Sequence, residues 1–581
     1  MIFRTFDILL QAEKIYPEIP AFFHKKSGDW NNITYAEYAA KAKQLAKGLI
    51  ASGVKRNDKI ATFSNNRPEW NILDMAIAMC GAIHVPVFPN YNNSDLLYIL
   101  EHTEITRVFV SNKTLYNVVS NIADQIDRIK EIYLIESSDS TICLDDIYKK
   151  ADEISEEVLE KLMTEISIND IVSIYYTSGT GGKPKGAMVM HQNIVEMVKS
   201  MAEIYFLNKG DKTLSYLPLS HSFESAHSYI YQFSGVSVYY AESVASVEAN
   251  LTEVRPVMFL SVPQLLEKVH ASIRNYIENS LESDKAEEAY QFAINYHPEN
   301  KEKIYIKQYK EFYNNFYCHW KEKFCGDVKR ISAGGAALPE YLTRLFFAFD
   351  IFVLEVYGLT ETYAVAVNSL QHGYKIGTVG VPDKNVEVKI AEDGEILCRS
   401  PYIIKGYYKD EEQTQLAFDS EGYFHTGDLG EWIEDKFIKI TGRKRDVFKV
   451  ASGIFISPEV IEKQLRKSPY ISNVLIVGKD KEFLSAVIVP DFDALTDYCL
   501  QKKYNLVNWK ILLNDLEIKA LFQQSINEYN RNVWGAGQIL KFKLIEDKWS
   551  VQSGEMTPTM KLKRQYLTEK YVQLINEFYN L

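Results

Sequence analysis

Long apolar runs, paired cysteines and an excess of basic charge are all missing from this 581-residue chain, and each absence removes a class of function. No stretch reaches the ~18 uninterrupted apolar residues at which a membrane-spanning helix becomes plausible. The segment Met1-Ile2-Phe3-Arg4-Thr5-Phe6 lacks a basic region followed by an apolar one and a small-residue cleavage site, so no secretory signal is read there. Six cysteines are scattered at 80, 143, 318, 325, 398 and 499 with no C-x-x-C pair, which argues against a disulfide framework and a structural zinc site. A net charge of −12 leaves no general electrostatic footprint for nucleic acid. No internal repeat or low-complexity tract interrupts the chain. A cytoplasmic protein is expected, soluble or at most peripheral to a membrane; oligomeric state cannot be read.

What is present is enough apolar material for packed cores: 46% hydrophobic, 24% charged and 13% aromatic residues. The length exceeds what one core usually serves, so two or more domains are expected. Thr34-Tyr35-Ala36-Glu37 has capping-box form and predicts a helix start. Ala42, Leu45, Ala46 and Leu49 supply the buried stripe, and Gly53 offers a stop before the β-like run 59–63. Alternation of helix and strand continues through 74–87 and 107–110, the rhythm of layered α/β architecture. From about 279 to 323 charged and aromatic residues with few glycines predict a mostly helical insert. Beyond Gly377, short β-like runs such as 386–390 alternate with turns, as in a small β-barrel or distorted sheet. The expected division is a large first unit over 1–442 and a smaller α+β unit over 443–581.

The strongest local feature is Tyr175-Tyr176-Thr177-Ser178-Gly179-Thr180-Gly181-Gly182-Lys183-Pro184-Lys185-Gly186. Glycines, hydroxyls and lysines in one loop can present backbone N–H groups, hydroxyl donors and positive charge to polyphosphate oxygens. No G-x-x-x-x-G-K-[ST] can be read, and β-like residues flank the loop on both sides, so it is placed between two strands. A flexible surface turn is the competing reading.

This loop closely resembles the signature of the acyl-adenylate-forming (AMP-binding) superfamily, and the resemblance extends over nearly the whole chain. Further matching blocks are 65–70 (Asn-Asn-Arg-Pro-Glu-Trp), 216–221 (Tyr-Leu-Pro-Leu-Ser-His), 332–338, 356–362, 423–428, 441–446 and 557–564. The last of these, Thr-Pro-Thr-Met-Lys-Leu-Lys-Arg, and the helical insert are most similar to long-chain fatty acid:CoA ligases. The resemblance implies ATP, Mg²⁺, a fatty acid and coenzyme A as reactants, with an acyl-AMP intermediate. It also implies that the small C-terminal domain is mobile, rotating about Arg445 between the two steps.

Residue by residue, the resemblance places ATP against Thr177, Ser178, Gly179, Thr180, Gly181, Gly182 and Lys185. Gly334, Gly335 and Ala336 are placed beside adenine, where absent side chains allow close approach, although a small-residue turn packed against a helix is the bland alternative. Tyr357 is placed over the adenine, and Gly358 and Thr360 lie in the same block. Glu361, with Thr177, is a hard oxygen donor of the kind Mg²⁺ takes alongside phosphates. Asp428 and Arg443 are assigned to the ribose and phosphate, against an ordinary turn-forming Asp. His221 is assigned beside the acyl pocket, against a structural core histidine.

Lys561 carries most of the expected mechanism, because an anionic carboxylate must attack an anionic phosphate and positive charge has to lie between them. Lys563 and Arg564 are nearby alternatives, and a solvated basic turn is the bland one. Ser452 and Gly453 are implied to line the pantetheine path. Departures from the commoner pattern are Gly181 in the loop, Arg445 at the hinge and Met560 before the lysine; Gln264 carries no assigned role. Competing functions are transfer to a carrier-protein thiol, use of a shorter or aromatic acid, a catalytically silent nucleotide-binding homologue, and a luciferase-like oxygenase.

Overall fold

The computed structural model describes all residues except 1, 139, 178–182, 281–282, 505–507, 532 and 580–581. The expected capping box is in place: Thr34 Oγ1 accepts from the Glu37 N–H at 3.2 Å, and the Glu37 carboxylate accepts from the Thr34 N–H at 2.8 Å. A cap of this kind contributes about 1 kcal/mol to helix stability. The helix Tyr35–Ala51 follows and buries Ala42, Leu45, Ala46 and Leu49.

Two large sheets organise the first part of the chain. A six-stranded sheet runs in the order Glu131–Leu134, Arg107–Val110, Lys59–Phe63, Ile83–Val87, Ile171–Thr177, Lys185–Met190. Its pairings are parallel except for the last, the hairpin that carries the phosphate-loop sequence. A nine-stranded sheet has the parallel centre Ser237–Tyr240, Lys212–Ser215, Met258–Ser261, Arg330–Ala333, Phe352–Leu359. Helices including Pro68–Met79, His191–Tyr205 and Ser222–Ser234 lie between the sheets, joined into one core with residues such as Val172, Tyr175, Val238 and Leu260. Further helices cover each outer face, giving five alternating layers.

The helical insert is Ser283–Ile294, Lys303–Phe312 and Cys318–Phe324, the last two joined by a π-helical turn at Tyr313–Tyr317. Phe312, Tyr317 and Trp320 are buried against the covering layer of the nine-stranded sheet. The β-rich segment is a four-stranded antiparallel sheet, Glu387–Ile390, Glu395–Arg399, Phe424–Ile433, Phe437–Arg443. Of the two forms expected it is the distorted sheet and not a closed barrel. Ile438 in its last strand hydrogen-bonds to the backbone of Val379 and Gly380, so that edge is occupied and does not return to the first strand.

The C-terminal part forms its own α+β unit: strands Ile471–Val477, Leu484–Pro490 and Ile539–Leu544, with helices such as Pro458–Leu465, Leu516–Asn530 and Arg564–Lys570. Val474, Val487, Phe522 and Leu567 belong to a core separate from those of the large sheets. These two parts are referred to below as the large and small lobes.

Candidate active site

Parallel sheets gather ligand-binding loops at the carboxyl ends of their strands, and the conspicuous motifs converge there. Ile171–Thr177 ends at the loop, Lys212–Ser215 leads to His221, Arg330–Ala333 leads to Gly334 and Gly335, and Phe352–Leu359 carries Tyr357 and Gly358. Asn66 clamps one of these connections: its amide donates to the Leu217 carbonyl at 2.6 Å and accepts from the Leu219 N–H at 3.0 Å.

Thr177 lies at the foot of the hairpin, opposite Lys185 in the strand register. Residues 178–182 lie outside the described part, so Ser178, Gly179, Thr180, Gly181 and Gly182 have no structural account. Glu361 sits in the tight turn between Phe352–Leu359 and Tyr363–Val367. The turn is closed by the Leu359 N–H donating to Thr362 Oγ1 at 3.1 Å, and a Cβ at Gly358 would collide with the Tyr363 carbonyl. Thr360 is held by Ser222 at 3.0 Å.

Thr177 Oγ1 lies 3.4 Å from Glu361 Oε1, so a hydroxyl and a carboxylate do share one spot. Among the described residues no group of three or more His, Cys, Asp and Glu could hold a metal by itself. A lone carboxylate with a hydroxyl fits Mg²⁺, which keeps water and substrate phosphates as its other ligands.

Tyr357, Asp428 and Arg443 form a second group. Tyr357 donates to Asp428 Oδ2 at 3.0 Å, and Arg443 Nε lies 2.9 Å from Asp428 Oδ1. Asp428 and Arg443 face each other across adjacent strands of the four-stranded sheet, so their pairing follows from its register. A Cβ at Gly334 would meet the Phe223 ring at 3.0 Å and the Val356 carbonyl at 3.2 Å, so packing within the protein already accounts for this glycine. Gly335 has φ +81°, a backbone conformation that favours glycine.

His221 caps the helix Ser222–Ser234, its Nδ1 accepting from the Phe223 N–H at 3.0 Å. In the neutral ring this leaves Nε2 as the N–H donor. Burial, and then the positive charge of Lys561, lower its pKa from 6.5 to about 4. The ring is therefore neutral at physiological pH.

Lys561 stands in the cleft between the lobes, walled by protein yet open to the water of the cleft. Burial and then the Arg443 cation lower its ammonium pKa from 10.5, with Glu459 and Asp428 opposing. Its charge bears on both His221 and Asp428. No hydrogen-bond or ion-pair partner of its ammonium exists among the described residues. Lys563 and Arg564, the sequence alternatives, are engaged elsewhere: Lys563 with Asp95 at 2.9 Å, Arg564 with Glu462 at 2.7 Å.

Arg445 lies in the turn after Phe437–Arg443, and its charge bears on Tyr407. Ser452 and Gly453 lie apart from the constellation in an exposed turn, with open space around Gly453. Tyr407 and Gln413 join the site without any forewarning in the sequence. The Tyr407 hydroxyl donates to Glu361 Oε1 at 3.0 Å, and Lys185 Nζ donates to Gln413 Oε1. Neither residue stands in a spacing that signals chemistry.

A sequence profile described as AMP-binding enzyme matches residues 10–408, and one described as AMP-binding enzyme C-terminal domain matches 445–581. The chain belongs to the AMP-binding enzyme family. Among curated relatives, long-chain-fatty-acid–CoA ligase FadD15 of Mycobacterium bovis is 29% identical, covering 99% of this chain and 96% of its own. Long chain acyl-CoA synthetase 7, peroxisomal, of Arabidopsis thaliana is 28% identical, covering 95% of this chain and 82% of its own. The solved structure of ATP-bound MatB from Rhodopseudomonas palustris shares the fold of the family, with TM-score 0.71 and 20% identity over 98% of this chain and 99% of that one.

Proposed function

We propose that this member of the family is a long-chain fatty acid:CoA ligase that works through an acyl-AMP intermediate. The substrate class rests on relatives named for long-chain acids at 28–29% identity over nearly the full chain. The observation that carries the mechanism is the Lys561 ammonium, partnerless among the described residues and close enough to influence His221 and Asp428.

In the first step a carboxylate oxygen attacks the α-phosphorus, and the bond to the β-phosphate breaks with its electron pair leaving on pyrophosphate. Lys561 bridges the two anions and stabilises the charge of the in-line transition state. Asp428, Arg443 and Tyr357 orient the nucleoside, with Gly334, Gly335 and Ala336 beside the base. Lys185 and the glycine-rich hairpin hold the departing phosphates. Glu361 and Thr177 would hold Mg²⁺, which supplies neutralisation of phosphate charge when bound. His221, neutral and donating through Nε2, orients the acyl carboxyl group and carries no proton of its own into the reaction.

In the second step the CoA sulfur attacks the acyl carbonyl carbon, the carbon–oxygen bond to AMP breaks, and the thiol proton leaves to solvent. Lys561 has no part in that step. Rotation of the small lobe, residues 443–581, about Arg445 withdraws Lys561 and brings the exposed Ser452–Gly453 turn to the site. The six free cysteines, five of them buried, fit a reducing cytoplasm. No helix among the described residues is long and apolar enough to cross a membrane; transient contact with a bilayer suits a substrate that partitions into it.

The test is acid-dependent exchange of pyrophosphate into ATP with Mg²⁺ and a panel of short, aromatic and long-chain acids. Long-chain acids are expected to support the fastest exchange, with free CoA preferred over a carrier protein as acceptor. Absence of exchange with every acid removes the proposal; a shorter-acid optimum or carrier-only transfer removes its substrate or acceptor part.

A further inference from the structure

The backbone places one tyrosine between two groups of opposite charge. Residues 405–408 run along the outer edge of the phosphate hairpin: Lys405 N–H donates to the Met188 carbonyl at 2.9 Å, Met188 N–H to Gly406 at 2.9 Å, and Tyr408 N–H to Gly186 at 2.7 Å. Ala187 and Tyr407 face each other across this bridge. The segment is thereby tied by its backbone to the edge of the six-stranded sheet through a single β-bridge, which fixes where Tyr407 leaves the chain.

On one side, the Tyr407 hydroxyl donates to Glu361 Oε1 at 3.0 Å, the same oxygen that Thr177 Oγ1 approaches at 3.4 Å. On the other, the Lys185 ammonium lies 5.1 Å from the centre of the Tyr407 ring while donating to Gln413 Oε1. Tyr407 is 9% exposed, so neither contact is a surface accident. The Lys185 ammonium is thus engaged with Gln413 and the Tyr407 ring, and the Glu361 carboxylate with the Tyr407 hydroxyl.

That separation has a chemical purpose. A lysine and a carboxylate in contact satisfy each other, and the pair must then be broken before either can take a ligand. Held apart by an aromatic ring, the ammonium keeps a weak cation–π contact that is readily exchanged for phosphate oxygens. The carboxylate is oriented by a neutral donor that leaves its charge intact, as hydrogen-bonded neighbours of metal-ligating carboxylates do.

We propose that Tyr407 is a positioning residue for Mg·ATP: its hydroxyl orients the Glu361 carboxylate for the metal, and its ring keeps Lys185 from pairing with that carboxylate. This rests on the proposed ATP-dependent reading of the same site and extends it to a residue outside the sequence blocks quoted above.

The test is calorimetric binding of Mg·ATP and of metal-free AMP to the full chain and to Tyr407→Phe and Tyr407→Ala, with Mn²⁺ as a spectroscopic stand-in for the metal. Tyr407→Phe is expected to weaken Mg·ATP about 10-fold, the lower end of what loss of a ligand-orienting contact costs, and to leave AMP affinity and Tm unchanged. Tyr407→Ala is expected to weaken Mg·ATP further by letting Lys185 and Glu361 pair, and Tyr407→Ala with Lys185→Met is expected to recover Mn²⁺ binding relative to Tyr407→Ala. Equal loss of AMP and Mg·ATP, or no loss of either, in Tyr407→Phe overturns the proposal alone. Failure of the unaltered protein to bind Mg·ATP overturns this proposal together with the functional reading beneath it.

Discussion

Lys563 reaches across the cleft to Asp95, its ammonium 2.9 Å from a carboxylate that lies 468 positions earlier in the chain. Both side chains are largely shielded, at 17% and 18% exposure. Asn90 adds a second tie, its amide donating to the Pro558 carbonyl at 3.1 Å, and Lys463 adds a third to the Ala337 carbonyl at 2.6 Å. The first two hold the segment carrying Lys561 against the large lobe, and the third ties the helix Pro458–Leu465 to it.

Asp95→Asn removes the charge from the first tie while keeping its shape. A partly shielded pair contributes about 1 kcal/mol, so pyrophosphate exchange is expected to slow about 5-fold. Thioester formation from supplied acyl-AMP is expected to be unaffected, since on the proposed mechanism the small lobe leaves this arrangement before that step. Equal slowing of both steps, measured separately, would show that the pair serves stability and not the first arrangement.

Lys561→Ala is expected to lower pyrophosphate exchange by more than 100-fold, the range seen on removing one transition-state donor, and to leave CoA transfer from supplied acyl-AMP largely intact. In the unaltered enzyme the lowered pKa of Lys561 means that its proton is lost at lower pH than for a free lysine. The alkaline fall of kcat/KM for adenylation, which reports the free enzyme, is therefore expected below pH 10.5. In Lys561→Arg that limb should move upward, because guanidinium does not deprotonate in this range.

His221, with its pKa near 4, is neutral throughout pH 5–8. The pH profile of kcat/KM should show no inflection between pH 6 and 7 that disappears in His221→Gln. Loss of the Nδ1 cap on the helix Ser222–Ser234 should cost roughly 1 kcal/mol of stability, read as a lowered urea midpoint. An inflection near pH 6.5 abolished by the substitution would contradict this account of the ring.

Glu224 and Glu355 lie in the large lobe with carboxyl pKa values raised by burial from 4.5 to about 8. Glu224 Oε2 has no hydrogen-bond partner among the described residues. A raised folded pKa means that the native state holds more protons than the unfolded one between pH 4.5 and 8, so stability falls as pH rises through that window. Glu224→Gln should match the parent protein below pH 4.5 and exceed it by a few kcal/mol, to order of magnitude, by pH 8. Urea unfolding at pH 5 and pH 8 checks this; an equal difference at both pH values would refute it.

Local signals in the sequence carried far. Thr34 and Glu37 announce their helix because a capping box is complete within four residues. The two strands that flank the glycine-rich loop are foreseeable because β-like residues stand contiguously on either side of it. Tyr357, Asp428 and Arg443 could be nominated from the family resemblance, and they meet in one cluster. What stayed hidden depends on partners distant in sequence. Asn66 clamps residues 151 and 153 positions away, and Tyr407 meets Glu361 across 46. Whether the β-rich segment closes depends on Val379 and Gly380 occupying an edge, which no run of alternating residues discloses. Gly334 shows the converse: its smallness is explained by Phe223 before any nucleotide is invoked.

The edge segment 405–408 constrains length as strictly as composition. Tyr407 turns toward Glu361, whereas its neighbour Tyr408 turns the opposite way and donates to Glu104 at 3.3 Å. Neighbouring residues on this edge face opposite sides, so inserting one residue before Tyr407 would move its ring to the position that Tyr408 now holds. Such an insertion would alter none of the existing residues yet strip the hydroxyl from Glu361, which makes this short stretch, and the helix Glu411–Ala417 that Asp410 caps directly after it, poor places for grafting loops.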